Sequence, residues 1–137
     1  MVTATSQSSL PVRSEDDIIV VRRKVRDIAE ARKFDTFAVA AITTASSELA
    51  RNVVVHAGKG IASIEEVTDG TRIGIRLVFA DEGPGIADVE RVLRGGYSTA
   101  RSMGLGVSGS KRLVDQFDIQ SAPGKGTTIT VVKWKRF

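Results

Sequence analysis

Apolar residues recur at Ile18, Val21, Val25 and Ile28, spaced three, four and three, which is one stripe of an amphipathic helix. Ser14 followed by Glu15, Asp16 and Asp17 supplies the start of that helix, an N-cap with acids in the first turn. A second stripe, Ile42, Ala45, Leu49 and Val53, predicts a second helix that Asp35 caps and Gly58 ends. The period then changes. "IASIEEV" and "TRIGIRLVFA" are β-branched apolar runs joined through "TDG", a strong hairpin signal. The turn "DEGPG" follows, then a short helical pattern from Val89 to Leu93, then "RGGYSTARSMGLG", which has no apolar period and reads as a loop. A third helix is expected through Val107, Ser110, Val114 and Phe117, and two closing strands, "DIQSA" and "TTITVVKW", flank the turn "PGKG". Before all of these, "LPVRS" reads as a short edge strand, since Pro11 cannot donate to a ladder, and residues 1–9 as a flexible start.

Helices interleaved with hairpins predict an α/β (α+β) two-layer sandwich: a mixed, mostly antiparallel sheet covered on one face by helices. The 137 residues suffice for one domain, expected over 1–137. With no cysteine there is neither a disulfide framework nor a thiolate metal site. No apolar run approaches the roughly 20 residues that span a bilayer, and the small polar start lacks a signal-peptide pattern, so the expected location is cytoplasmic, with no membrane partner. The net charge of +4 is scattered apart from "RRK" and "KWKR". One Trp, one Tyr and five Phe offer few stacking platforms, and no nucleic-acid partner is expected.

Four short stretches carry the candidate chemistry. "ELARN" puts Glu48 and Asn52 four residues apart, on one face of the second helix. A carboxylate beside an amide oxygen suits a hard cation such as Mg²⁺, or the Glu can take a proton from an attacking hydroxyl. A solvated helix face is the commoner fate of such a pair. "DEGPG", after a strand, is on its own a turn. "GLG", Gly104 to Gly106, stands where the loop meets the third helix, and a glycine-rich helix entry can cradle phosphate. "GKGT", Gly124 to Thr127, is a hairpin turn by itself.

In this order, Glu-x-x-x-Asn, Asp-x-Gly-x-Gly, Gly-x-Gly and Gly-x-Gly-Thr resemble the nucleotide-binding signature of the GHKL ATPase superfamily, the Bergerat fold of gyrase, Hsp90, histidine kinases and MutL. The resemblance implies ATP and Mg²⁺ as cofactors. It implies that Asp81 accepts a hydrogen bond from the adenine amino group, with Gly83 and Gly85 letting the chain pass close by. Gly126 and Thr127 would support the adenine end, Asn52 would ligate Mg²⁺ and Glu48 would act as base. Gly104, Leu105 and Gly106 would meet the phosphates, 86–103 would be a lid, and Arg101 or Lys111 would neutralise phosphate charge.

With 137 residues, neither the coupled domains of gyrase- or MutL-like proteins nor the dimerisation helices of a histidine kinase are expected. His56, the only histidine, reads as structural rather than as a phospho-acceptor, and Lys59 as a helix C-terminal charge or a site cation. "ITTASSELARNVVVHAGKG", "DEGPGI", "GVSGSKRLVDQF" and "YST" in the loop are similar to the stand-alone serine/threonine switch kinases of the stressosome, the branch that includes bacterial anti-sigma factors. That branch implies phosphorylation of STAS-domain scaffold and antagonist proteins and activation of a downstream partner such as a PP2C-type phosphatase. The competing readings are a nucleotide-gated partner-binding module with little catalysis, against which Glu48 speaks, and a nucleic-acid module on the basic last strand.

Overall fold

The computed structural model describes residues 1–94 and 103–136, and for 103–105 the backbone alone. Five strands, β1 (Thr3–Val12), β2 (Gly60–Thr68), β3 (Ile73–Asp81), β4 (Gln116–Ser121) and β5 (Thr127–Trp134), form one sheet in the order β1-β2-β3-β5-β4. Every neighbouring pair is antiparallel. The helices are α1 (Glu15–Ala31), α2 (Thr36–Ala57), α3 (Val89–Arg94) and α4 (Met103–Leu113). This is the expected layered α+β architecture, with a sheet that is antiparallel throughout rather than mixed.

The polar stretch expected to be flexible over 1–9 instead opens the edge strand: β1 starts at Thr3 and follows β2 from Thr3↔Thr68 to Val12↔Gly60, with an irregularity between Ala4 and Ser6. Its polarity follows from its place, since an edge strand exposed to solvent needs no apolar face over most of its length.

Helix α1 starts where Ser14 accepts from the Asp17 amide, and it buries Ile18, Val21, Val25 and Ala29. Helix α2 starts on Asp35, which accepts from the Ala38 amide at 2.8 Å, and ends on Gly58 at φ 84°. Its buried stripe contains the four expected residues and adds Ala38, Ser46, Ala50 and Asn52. Against these stripes lie Ala62 and Ile64 of β2, Ile75, Leu77 and Phe79 of β3, and Ile129 and Val131 of β5, alternate residues that share one sheet face. The opposite face carries a separate small cluster of Val67, Val132 and Trp134.

The third helix is shorter than its apolar spacing suggested. It stops at Leu113, and Phe117 belongs to β4. Phe117 satisfies either period: three residues after Val114 of the helical stripe, or two before Ile119. Tertiary pairing decides. The Asp115 amide donates to Val132 O at 2.9 Å, and the Asp115 carboxylate accepts from the Trp134 amide at 2.7 Å, so the chain is drawn into the ladder directly after α4.

Candidate functional site

Asp81 is the last residue of β3 and sits between Gly60 of β2 and Thr127 of β5. Counting in twos from Leu77 and Phe79, it faces the helices. Its Oδ1 accepts from the Gly83 amide at 2.9 Å, so the carboxylate shapes the turn that follows it and keeps its second oxygen for another donor.

The glycines of this turn answer to close approach. A Cβ at Gly83 would stand 2.6 Å from Ala57 Cβ in the last turn of α2. One at Gly85, whose φ is 78°, would stand 2.0 Å from Ala122 O. Gly126, at φ 73°, lies equally tightly on Asp81, where a Cβ would be 2.2 Å from the carbonyl oxygen. The Gly124 amide donates to Pro84 O at 2.8 Å. Two stretches some forty residues apart, "DEGPG" and "GKGT", are thus one backbone cluster.

Ser121, the last residue of β4, ties that cluster together and has no motif that marks it in the sequence. Its hydroxyl accepts from the Ile86 amide at 2.8 Å and donates to Gly126 O at 2.9 Å. With its one hydrogen used there, the 2.8 Å contact to the buried Thr127 hydroxyl has Thr127 as donor, leaving Thr127 Oγ1 free to accept.

The second group of residues sits further up α2. Asn52 is buried and one turn from Glu48, whose side chain is about two-fifths exposed. The first turns of α4 cross here: a Cβ at Gly106 would be 3.3 Å from Glu48 Oε2. Gly106 O accepts from the Ser110 hydroxyl at 2.7 Å, inside α4. Glu48 also pairs with Arg51 at 3.8 Å, an exposed pair of little energetic weight. Nine residues of α2, roughly 13 Å of helix, separate Glu48 from Ala57, against which Gly83 packs. Helix α2 is therefore the common wall of an elongated site, with the Asp81 cluster at one end and Glu48, Asn52 and Gly106 at the other.

Lys111 is exposed in the last turn of α4, five residues or about 7 Å of axis from Gly106, and is not part of either group. Arg101, the Tyr97–Thr99 stretch and the Leu105 side chain lie outside the described residues, whereas Gly104 falls in the first turn of α4. His56 is half-buried in the last turn of α2, and Lys59 is exposed just beyond it.

The donor set at the Glu48 end also bears on a metal. Two side chains with hard oxygen donors stand one helical turn apart, and among the described residues no group of three or more His, Cys, Asp or Glu is clustered. Such a sparse oxygen site fits Mg²⁺, which takes one or two protein ligands and keeps its waters and substrate phosphates.

Residues 11–133 match the family described as Histidine kinase-like ATPase domain. The serine/threonine-protein kinase RsbT of Bacillus subtilis (strain 168) is 43% identical over 130 residues, which cover 95% of this chain and 98% of that protein. The anti-sigma F factor of Thermoanaerobacter sp. (strain X514) is 31% identical over 102 residues, 70% of each chain. Among solved structures, the RsbU and RsbW domains of a Mycobacterium tuberculosis protein match with a TM-score of 0.66 at 19% identity, over 97% of this chain and 34% of that longer one. The SiaB-SiaC complex of Pseudomonas aeruginosa matches with a TM-score of 0.56 at 10% identity, over 96% of this chain and 90% of that one. At these identities the two structures speak for the fold.

Proposed function

This chain belongs to the histidine kinase-like ATPase domain family, and from that premise we propose that it is a switch kinase that phosphorylates serine or threonine in STAS-domain proteins of a stressosome-like assembly. The coarser statement is plain: it is an ATP-using protein serine/threonine kinase of the partner-switch type that serves stress signalling. In this reading residues 1–137 act as one kinase domain in the cytoplasm. Among the described residues no helix is long and apolar enough to cross a membrane.

The observation that carries the catalytic reading is the position of Glu48. Its carboxylate lies within reach of the glycine-rich start of α4, with Asn52 one turn away and the Asp81 cluster at the far end of the same helix wall. Asp81, shaped by its bond to the Gly83 amide, accepts from the adenine amino group through its remaining oxygen. Thr127 and Gly126 support that end. The phosphates run along α2 to α4, where backbone amides of Gly104 to Gly106 and the positive helix end meet them. Asn52 would hold Mg²⁺ together with the phosphates, and the ion would supply charge neutralisation at the transferred group.

Transfer forms a bond between the substrate hydroxyl oxygen and the γ-phosphorus and breaks the bond from that phosphorus to the β–γ bridging oxygen. ADP leaves with the electron pair, and the hydroxyl proton passes to Glu48. Phosphoryl transfer asks the protein mainly for positioning and charge stabilisation, and a wall formed by one long helix suits that demand. Arg101 is assigned a supporting phosphate contact. The phosphorylated assembly would release the kinase, which then engages a downstream partner such as a PP2C-type phosphatase.

The test is incubation with Mg²⁺ and ATP labelled at the γ-phosphate, with a panel of STAS-domain proteins. Label on serine or threonine of one of them supports the reading. Tight ATP binding and ATP-dependent association without label would replace it with a nucleotide-gated binding module.

A further inference from the structure

Helix α2 reaches Glu48 from an uncharged first half, which buries one face and leaves Thr36, Phe37, Ala40 and Thr44 exposed. From Thr36 to Ser47 it carries no charged side chain. Its outward stripe is Phe37, Ala40, Ala41 and Thr44, spaced three, one and three, and continuing by four to Glu48. An outward helix face of a soluble protein is normally polar or charged. Here Phe37 stands 89% exposed at its start, an apolar ring with nothing over it among the described residues.

Grooves flank this stripe on both sides. One, of about 750 Å³, runs between α2 and the end of α4, lined by Phe37, Ala41, Thr44, Leu113, Lys133 and Arg136. The other, of about 460 Å³, lies toward α1 and shares Ala40 and Thr44 with the first. Thr43, which lines it, has a buried hydroxyl oxygen with no hydrogen-bond partner among the described residues. At the rim of the larger groove, Lys133 and Arg136 share a single carboxylate, Asp115, at 3.7 and 2.8 Å. Asp35, the other acid at that rim, is engaged by the amide of Ala38 at the start of α2. The rim therefore holds two cations and two carboxylates and is charge-balanced.

We propose that the outer face of α2 from Phe37 to Thr44, with its flanking groove, is the docking surface of the phosphoacceptor protein. That protein lays an amphipathic helix along it. The inference rests on the kinase reading above, and two features carry it. The stripe runs without interruption into the carboxylate that the acceptor hydroxyl must reach, and its centre is charge-depleted and apolar with a polar, charge-balanced rim, the anatomy of an interface. Eleven residues from Phe37 to Glu48 are about 16 Å of helix, so the substrate's anchoring side chains sit that far from its phosphorylated hydroxyl.

The probe is a STAS-domain protein, with phosphate transfer and equilibrium binding measured separately for wild type, Phe37→Ala and the control Ile61→Ala, whose side chain is 54% exposed on the opposite sheet face. Phe37→Ala is expected to lower kcat/KM at least tenfold through KM and to weaken binding by a similar factor. Its ATP affinity, its melting temperature and its kcat at saturating substrate should stay at wild-type values, and Ile61→Ala should change none of these. Wild-type KM and binding in Phe37→Ala, or no binding of the STAS protein by wild type, overturns the proposal. If wild type binds without transferring phosphate and Phe37→Ala loses that binding, the docking surface stands and the kinase reading falls.

Discussion

Replacing Asp81 by Asn separates the two roles of its carboxylate. One oxygen accepts from the Gly83 amide at 2.9 Å and holds the turn, and the Asn side-chain oxygen can keep that bond. The other position then carries an NH₂ group, so an acceptor aimed at the adenine amino group becomes a donor facing a donor. A hydrogen bond to a charged group contributes about 1.5–3 kcal/mol, so its loss should raise the ATP dissociation constant roughly 10- to 150-fold. The fold should hardly notice. For a chain of this size each kcal/mol moves the melting temperature by about 3–4 °C, and with the Gly83 bond kept the shift should stay under about 2 °C. Titration calorimetry with ATP and with GTP, beside thermal unfolding of the free protein, measures all of this. ATP should lose its advantage over GTP in the variant. An ATP affinity within twofold of wild type, with the melting temperature unchanged, would refute Asp81 as the adenine acceptor. Asp81→Ala is the companion, expected to lose both binding and turn stability.

Three further outcomes are expected. Glu48→Gln, which keeps size and polarity but not basicity, should bind ATP like wild type and lose at least a hundredfold in transfer rate, in line with the usual contribution of a general base; retained turnover in single-turnover assays would remove Glu48 from that role. Ser121→Ala strands the Ile86 amide and the Gly126 carbonyl, each at about 1–3 kcal/mol, so the melting temperature should fall by roughly 6–24 °C and ATP binding should weaken; a fall under 2 °C in a thermal melt would mean that water replaces the hydroxyl at no cost. Glu66 is held below the usual carboxylate range, first by the Ser6 hydroxyl at 2.7 Å and then by Arg32 against an opposing cost of burial. A lowered folded-state pKa gives stability that is present above the ordinary value near 4.3 and lost as pH falls through the lowered one. Glu66→Gln should therefore flatten that acid-side loss in urea titrations from pH 7 to pH 3, and an unchanged pH profile would contradict the linkage.

Much of the site was legible because its residues have few alternatives. Gly85 and Gly126 adopt positive φ and meet carbonyl oxygens closer than any Cβ allows, so the spacing of glycines in "DEGPG" and "GKGT" reports a backbone constraint that only glycine meets. Glu48 and Asn52 were paired by the helical period alone. Ser121 was not legible, since a serine at a strand end has many fates and only the fold brings it to Ile86, Gly126 and Thr127. Nor was the end of α4, where Phe117 fitted both periods until the ladder with β5 claimed it.

The sequence by itself determined the elements and the chemistry available to them: two amphipathic helices with their caps, two hairpins, and the acids, amide and glycines of a nucleotide-type site. These are local properties, set by side-chain periodicity and by the steric limits of each residue. The tertiary structure alone decided which of them meet. It placed "DEGPG" on "GKGT" through contacts between stretches forty residues apart, set Glu48 against the first turns of α4, and turned a polar start into the sheet's edge strand. It also left Phe37 in solvent at the head of the helix that leads to Glu48. Which side chains a fold buries and which it presents depends on how its layers pack, and no single stretch of sequence contains that information.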